Sequence, residues 1–165
     1  MADKIYFQGQ EKIAQWIARV KEKSSDPTEL YQKLGGILLE STRDRFNKTN
    51  IAPDGRPWQK SWRAKAQGTP TLLNTKKLRD SIYVKLNKDG AFLSTSLKYA
   101  PMMQFGGVIK AKNGGYLTFK TPMGGWVKKK QVVIPARPFL GVSEDDAQLM
   151  LNEIADHLEE LLKNA

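Results

Sequence analysis

Ile82-Tyr83-Val84-Lys85-Leu86-Asn87-Lys88-Asp89-Gly90-Ala91-Phe92-Leu93-Ser94-Thr95-Ser96 decides the fold class. Ile82, Val84 and Leu86 alternate with polar or exposed-type residues, the period of a strand with one buried face. Asn87-Lys88-Asp89-Gly90 predicts a hairpin turn, because Gly, Asn and Asp tolerate the backbone angles that tight turns demand. Residues 92–96 are then the returning strand. Downstream, residues 99–105 fit one helical turn closed by Gly106-Gly107. A second hairpin is expected, with residues 108–111 and 116–120 joined at Asn113-Gly114-Gly115. Met123-Gly124-Gly125 turns again before a strand over 126–134, which Pro135 and Pro138 stop. Ser143, with Asp146 three residues on, caps a final helix. Its apolar stripe is Ala147, Met150, Leu151, Ile154, Leu158, Leu161 and Leu162.

Upstream, residues 11–23 place Ile13, Trp16, Ile17 and Val20 at helical spacing. Asp26-Pro27-Thr28-Glu29 starts a second helix running to about Phe46, with Leu30, Leu34, Ile37 and Leu38 on one face. Gly35-Gly36 either weakens it or lets another backbone approach closely. Ile5-Tyr6-Phe7-Gln8-Gly9 reads as a first strand ending in a Gly turn, and it also looks like part of a protease recognition site. Residues 76–82 form a short helix before the first hairpin. Between lies an irregular excursion, about 47–75, with the turn Pro53-Asp54-Gly55 and with Trp58 and Trp62 among Arg56, Lys60, Arg63 and Lys65. A loop this long inside one domain is usually functional or disordered, and residues 53–70 are expected to be poorly ordered or extended away from the core in an isolated subunit. Helices, then hairpins, then a helix make an α+β fold: a mainly antiparallel sheet of hairpins flanked by two N-terminal helices and one C-terminal helix. Residues 1–165 read as a single domain.

Composition excludes several function classes. The chain has no cysteine, so no disulfide framework, thiol nucleophile or thiolate metal site is available. It has one histidine, His157, which leaves most acid–base triads without a base. That residue is expected on the solvated side of the last helix, among acids. The paired acids Asp145-Asp146 and Glu159-Glu160 lack metal-loop spacing. Gly114-Gly115 and Gly124-Gly125 are hairpin turns rather than phosphate loops, and Ser41 and Ser94 have no partner base. The expectation is no enzyme, no cofactor and no metal. No apolar run is long enough to cross a bilayer and the N-terminus has no signal-peptide core, so no membrane partner is expected and assembly belongs in the cytoplasm.

The net charge is +10, and it is uneven. Residues 108–137 hold Lys110, Lys112, Lys120, Lys128, Lys129, Lys130 and Arg137, with no acid. Residues 143–165 hold seven acids against Lys163. A basic surface near Trp58, Trp62 and Trp126 suits phosphate contacts and base stacking, with Lys128, Lys129 and Lys130 as the DNA-facing patch. The alternative is a solvated basic face that meets an acidic face, in the same chain or in a neighbouring copy.

Ile134-Pro135-Ala136-Arg137-Pro138-Phe139-Leu140-Gly141 is stiffened by two prolines, which hold Arg137 extended between them. Phe139 and Leu140 suit a plug for the core. A guanidinium fixed in this way can hold a carboxylate with two parallel bonds. The acid-rich final helix is the expected donor of that carboxylate, from the same chain or from the next copy.

This stretch resembles the phage virion morphogenesis family, the tail-completion proteins of Mu-like and related tailed phages. Three further blocks agree in order and spacing. Pro53-Asp54-Gly55-Arg56-Pro57-Trp58 is similar to the family's turn after the second helix. Leu73-Asn74-Thr75-Lys76-Lys77-Leu78-Arg79-Asp80-Ser81-Ile82 is similar to its Leu-x-x-Thr-Gly-x-Leu-x-x-Ser segment, with Lys76 where glycine is usual. Tyr99-Ala100-Pro101-Met102-Met103-Gln104-Phe105-Gly106-Gly107 is similar to its Tyr-Ala-x-x-His-Gln-x-Gly block, with Met103 where histidine is usual. The resemblance implies a structural protein of the virion, at the head–tail junction or tail end, that completes the tail or joins it to the head. It implies a homo-oligomeric ring, commonly hexameric, with tail-tube and head-connector proteins as partners and phage DNA as a further contact. Arg137, Pro138, Phe139, Tyr99, Gln104, Phe105 and Trp58 are the candidate interface residues. A nucleic-acid binder acting through its Lys/Arg/Trp surface is the alternative function.

Overall fold

A computed structural model describes residues 10–23 and 26–163. The strand expected at residues 5–9 lies outside them. The fold is α+β. Helices α1 (Gln10–Lys23) and α2 (Thr28–Asp44) precede short helices α3 (Trp62–Gln67) and α4 (Lys77–Asp80). Strands β1 (Ile82–Asn87) and β2 (Gly90–Thr95) follow, then helix α5 (Ala100–Phe105). Strands β3 (Gly107–Lys110), β4 (Leu117–Lys120), β5 (Trp126–Lys129) and β6 (Gln131–Ile134) lead to helix α6 (Glu144–Lys163).

Helices α1, α2 and α6 share one core. Ile13 and Val20 meet Leu30, Leu34, Ala147, Met150 and Ile154, with Trp16, Ile17, Ile37 and Leu38 half-buried around them. Each helix contributes one apolar stripe, and three stripes facing inward exclude water. The α6 stripe differs from expectation at two places. Leu162 is exposed, and His157 is buried rather than solvated, with neither ring nitrogen hydrogen-bonded among the described residues. Met150, Ile154 and His157 follow at helical spacing, so the imidazole continues the buried stripe.

The first hairpin forms as the alternation requires, with Ile82 opposite Thr95 and Asn87 opposite Gly90. It lies on α2 at Gly35, where a β-carbon would stand 2.5 Å from Val84 Cγ1 and 3.2 Å from Ala91 Cβ. Gly35 therefore serves the close approach of side chains from the hairpin.

The later strands are connected differently from expectation. Residues 108–111 do not pair with 116–120. Instead β3 pairs with β6 and β4 with β5, both antiparallel. The strand expected over 126–134 breaks at Lys130, whose carbonyl accepts from Ala111 N–H at 2.9 Å. Residues 107–134 are thus one long two-stranded arm. Its tip is the turn at Thr121–Gly125, where Thr121 N–H bonds the carbonyl of Gly125. The side at residues 112–116 loops out while the other side loses only Lys130. Among the described residues the strands make three two-stranded ribbons rather than one wide sheet.

The excursion at 47–75 is packed, contrary to the expectation that residues 53–70 extend away. Helix α2 passes into a π-helical turn, Arg45–Thr49, that ends at Asn50 in the left-handed region (φ 54°). The Asn50 side chain caps the carbonyls of Arg45 and Phe46 and accepts from Thr71 N–H at 2.8 Å. Its carbonyl takes Trp58 N–H at 2.8 Å. Ser61 then caps α3 by accepting from Ala64 N–H. One asparagine therefore ties both ends of the excursion to the helix terminus, and Ala52, Trp58, Ala64 and Thr71 are buried.

Candidate subunit interface

The segment 134–141 is a hub rather than a simple link. Arg137 N–H bonds the Met103 carbonyl at 2.8 Å. Gln104 accepts from the N–H groups of Phe139 and Leu140 at 2.9 and 3.0 Å and donates to the Leu140 carbonyl at 2.9 Å. The amide side chain thus stands in for a missing strand partner, satisfying three backbone groups of an irregular, half-buried segment. Trp58 Nε1–H donates to the Pro138 carbonyl at 2.8 Å. The Phe46 ring packs against both Trp58 and Phe139 at 5.4 Å between centroids. Gly106 (φ 72°) passes so close that a β-carbon there would sit 2.7 Å from Ala136 N and 2.8 Å from the Ile134 carbonyl oxygen. Leu78 and Ile82 complete this second core. The four sequence blocks at 53–58, 73–82, 99–107 and 134–141 therefore meet in space.

Of the residues expected at an interface, Trp58, Gln104 and Phe139 are buried within the chain and frame the site, and Pro138 is half-buried. Tyr99 and Phe105 are exposed. Lys128, Lys129 and Lys130 are exposed on the arm, beside Trp126.

Arg137 does not meet the final helix within this chain. It is 6% exposed, and its Nε donates to the Gln59 carbonyl at 2.7 Å. Burial lowers its pKa from the ordinary guanidinium value. Of the α6 carboxylates, the buried Asp146 pairs with Arg45. Arg45 also donates to the carbonyls of Phe139 (3.3 Å) and Gly141 (3.2 Å), tying α2 to the hub. Asp146 accepts from Ser143 N–H at 2.8 Å, while Ser143 Oγ accepts from Asp146 N–H at 3.2 Å, the expected capping box. Burial pushes the Asp146 carboxyl up. Hydrogen bonds from Ser41 and Ser143, with the Arg45 charge, outweigh it and hold the group below the usual carboxylate value.

Sequence reasoning missed Arg45, although a signal existed. Leu34, Leu38 and Arg45 share one helix face, so the arginine continues a buried stripe and needs a buried acid.

A groove of about 620 Å³ opens beside the hub. Residues 59–63 and Lys65, Leu72, Asn74, Thr75, Leu78, Tyr99, Met103 and the base of the arm line it, with Arg137. Lys60, Arg63 and Lys65 stand along it, and no acid does.

The phage virion morphogenesis family matches residues 9–159. The chain belongs to that family. A relative from Haemophilus influenzae, "Mu-like prophage FluMu G protein 2", is 29% identical over 153 residues, 93% of this chain and 94% of its own length. No solved structure matches. As a member of the phage virion morphogenesis family, the chain is a phage morphogenesis protein associated with the virion. Among the described residues no helix is long and apolar enough to cross a membrane.

The structure places the two residues that depart from the resembled motifs. Lys76, where glycine is usual, has φ 60°, a conformation that a β-carbon disfavours. Met103, where histidine is usual, packs half-buried against the second core, and its carbonyl holds Arg137.

Proposed function

We propose that this chain is a structural, non-enzymatic protein that completes the phage tail and joins it to the head, acting at the head–tail junction as a ring, hexameric in the simplest case. The observation that carries the reading is the division of one chain into unlike surfaces. From Asp89 to Glu144 no acid interrupts the sequence, and this run includes the whole arm. Helix α6 carries Glu144, Asp145, Asp156, Glu159 and Glu160 exposed. Unlike surfaces on one subunit favour head-to-tail contacts, which close into rings when the rotation allows. The exposed arm, with Val108, Tyr116, Met123, Trp126 and Val133 open to solvent, suits a tail-tube or connector partner, because exposed apolar clusters mark interaction surfaces. The test is inactivation of the gene in its prophage, followed by electron microscopy of induced lysates. Filled heads and unjoined or irregular tails, restored by the gene in trans, are expected. Intact infectious particles without the protein would overturn the reading.

A second reading is favoured by one observation. The β4–β5 register places Lys120 opposite Trp126 and Thr118 opposite Lys128 on one exposed face. Two-stranded basic ribbons fit DNA grooves, and tryptophan stacks on bases. DNA binding by the monomer that weakens steeply with salt would support this reading. Salt-independent or absent binding would remove it.

A further inference from the structure

The groove holds a buried cation with an incomplete set of partners. Arg137 is 6% exposed, yet its two terminal amino groups have no hydrogen-bond partner among the described residues, and no carboxylate meets the guanidinium. Those amino groups are not enclosed: they open on the groove, where a carboxylate can reach them. The exposed Lys60 and Lys65 at the groove add to the field, and the exposed Trp62 and Tyr99 give it an apolar rim.

We infer that this groove is a carboxylate-binding socket for the outer face of α6 from a second copy of the chain. The inference rests on the ring reading above and names its contact. On α6, Asp145, Leu149, Asn152, Asp156 and Glu159 recur at helical spacing and are all exposed. Asp145 and Asp156 form no ion pair among the described residues, and Leu149 is 54% exposed on the same stripe. The stripe therefore offers what the socket lacks: acids for Arg137, Lys60 and Lys65, and a leucine for the aromatic rim. Asp146, the acid on the inner side, is already spent on Arg45. The chain's own α6 does not fill the socket: none of its residues lines the groove, and its opposite stripe is held in the α1–α2 core. Donor and acceptor are different surfaces of one subunit, so the contact is heterologous and propagates around a ring.

The test uses two double variants of the full chain, at exposed positions that spare the fold. Lys60→Glu with Lys65→Glu blocks the socket and leaves the helix. Asp145→Lys with Asp156→Lys blocks the helix and leaves the socket. Sedimentation velocity across concentration is expected to show the parent assembling and each variant shifted to at least about tenfold higher concentration. An equimolar mixture should regain assembly, since a native socket meets a native helix and the two reversed faces are themselves of opposite charge. Arg137→Lys keeps the charge but removes the fork and the Nε bond to Gln59, so it should shift assembly in the same direction and also lower the thermal midpoint. If the parent assembles and the variants assemble like it, the socket is wrong while the ring reading stands. Variants that stay apart when mixed also exclude this pairing. If the parent remains a monomer throughout, the ring reading fails as well.

Discussion

Arg45 and Asp146 show what a single buried pair does for this fold. The guanidinium links the end of α2, the carbonyls of the hub and the start of α6. Asp146→Asn would leave that guanidinium buried without a counter-charge. A loss of about 3–5 kcal/mol is expected, read by chemical denaturation. The pH dependence follows from the same group. Its carboxyl is held below the usual value in the folded state, so its contribution is complete above the unfolded value and is lost as pH falls through the folded one. Stability of the parent should drop below about pH 4, and Asp146→Asn should flatten that slope. A slope unchanged in the variant would assign acid lability to other groups. Lys76 gives the opposite sign. At φ 60° a β-carbon costs energy that glycine does not, so Lys76→Gly should raise stability by about 0.5–1 kcal/mol. Thermal melts of the pair check it. The pattern of residue types made Ser143 and Asp146 legible as a cap. Burial of Arg45 was not read, because long basic side chains sit at a solvated helix end far more often than in a core.

At the scale of elements, α1, α2, α6 and the first hairpin were legible because each carries one period over its whole length. The arm was not. Residues 107–110 alternate no better with 117–120 than with 131–134, and Asn113-Gly114-Gly115 favours the local pairing. The structure instead nests β4–β5 inside β3–β6, which keeps one continuous ladder through the Ala111–Lys130 bond. The 47–75 excursion misled for a related reason. Proline, glycine and threonine disfavour regular elements but do not prevent packing, and here Asn50 and Trp58 supply the ties. Helix–hairpin packing gives a paired test. A β-carbon at Gly35 would meet Val84, whose branched side chain is stiff, whereas at Gly36 nothing lies within 4 Å. Gly36→Ala should stabilise by about 0.5–1 kcal/mol, as expected in a helix interior. Gly35→Ala should instead destabilise by about 1–3 kcal/mol through overpacking. Equal effects at both positions would mean that the hairpin does not press on α2.

At the scale of the whole molecule, two cores carry two tasks. The helical core fixes α6 so that its acidic stripe faces outward. The second core gathers the four family blocks and sets the groove, with Arg137 in its lining, beside the base of the arm. The family was legible because those blocks sit in the sequence. Their role as an internal frame was legible only at Phe139, read as a core plug, since Trp58 and Gln104 look alike whether they face a partner or the core. The assembly claim is tested most directly by native mass spectrometry of the full chain, of 18.6 kDa, across concentration and with or without the tail-tube protein of its phage. A discrete closed oligomer is expected, with a mass six times the subunit in the simplest case, that binds the tail-tube protein as a unit. A monomer at every concentration, alone and with that protein, would contradict it.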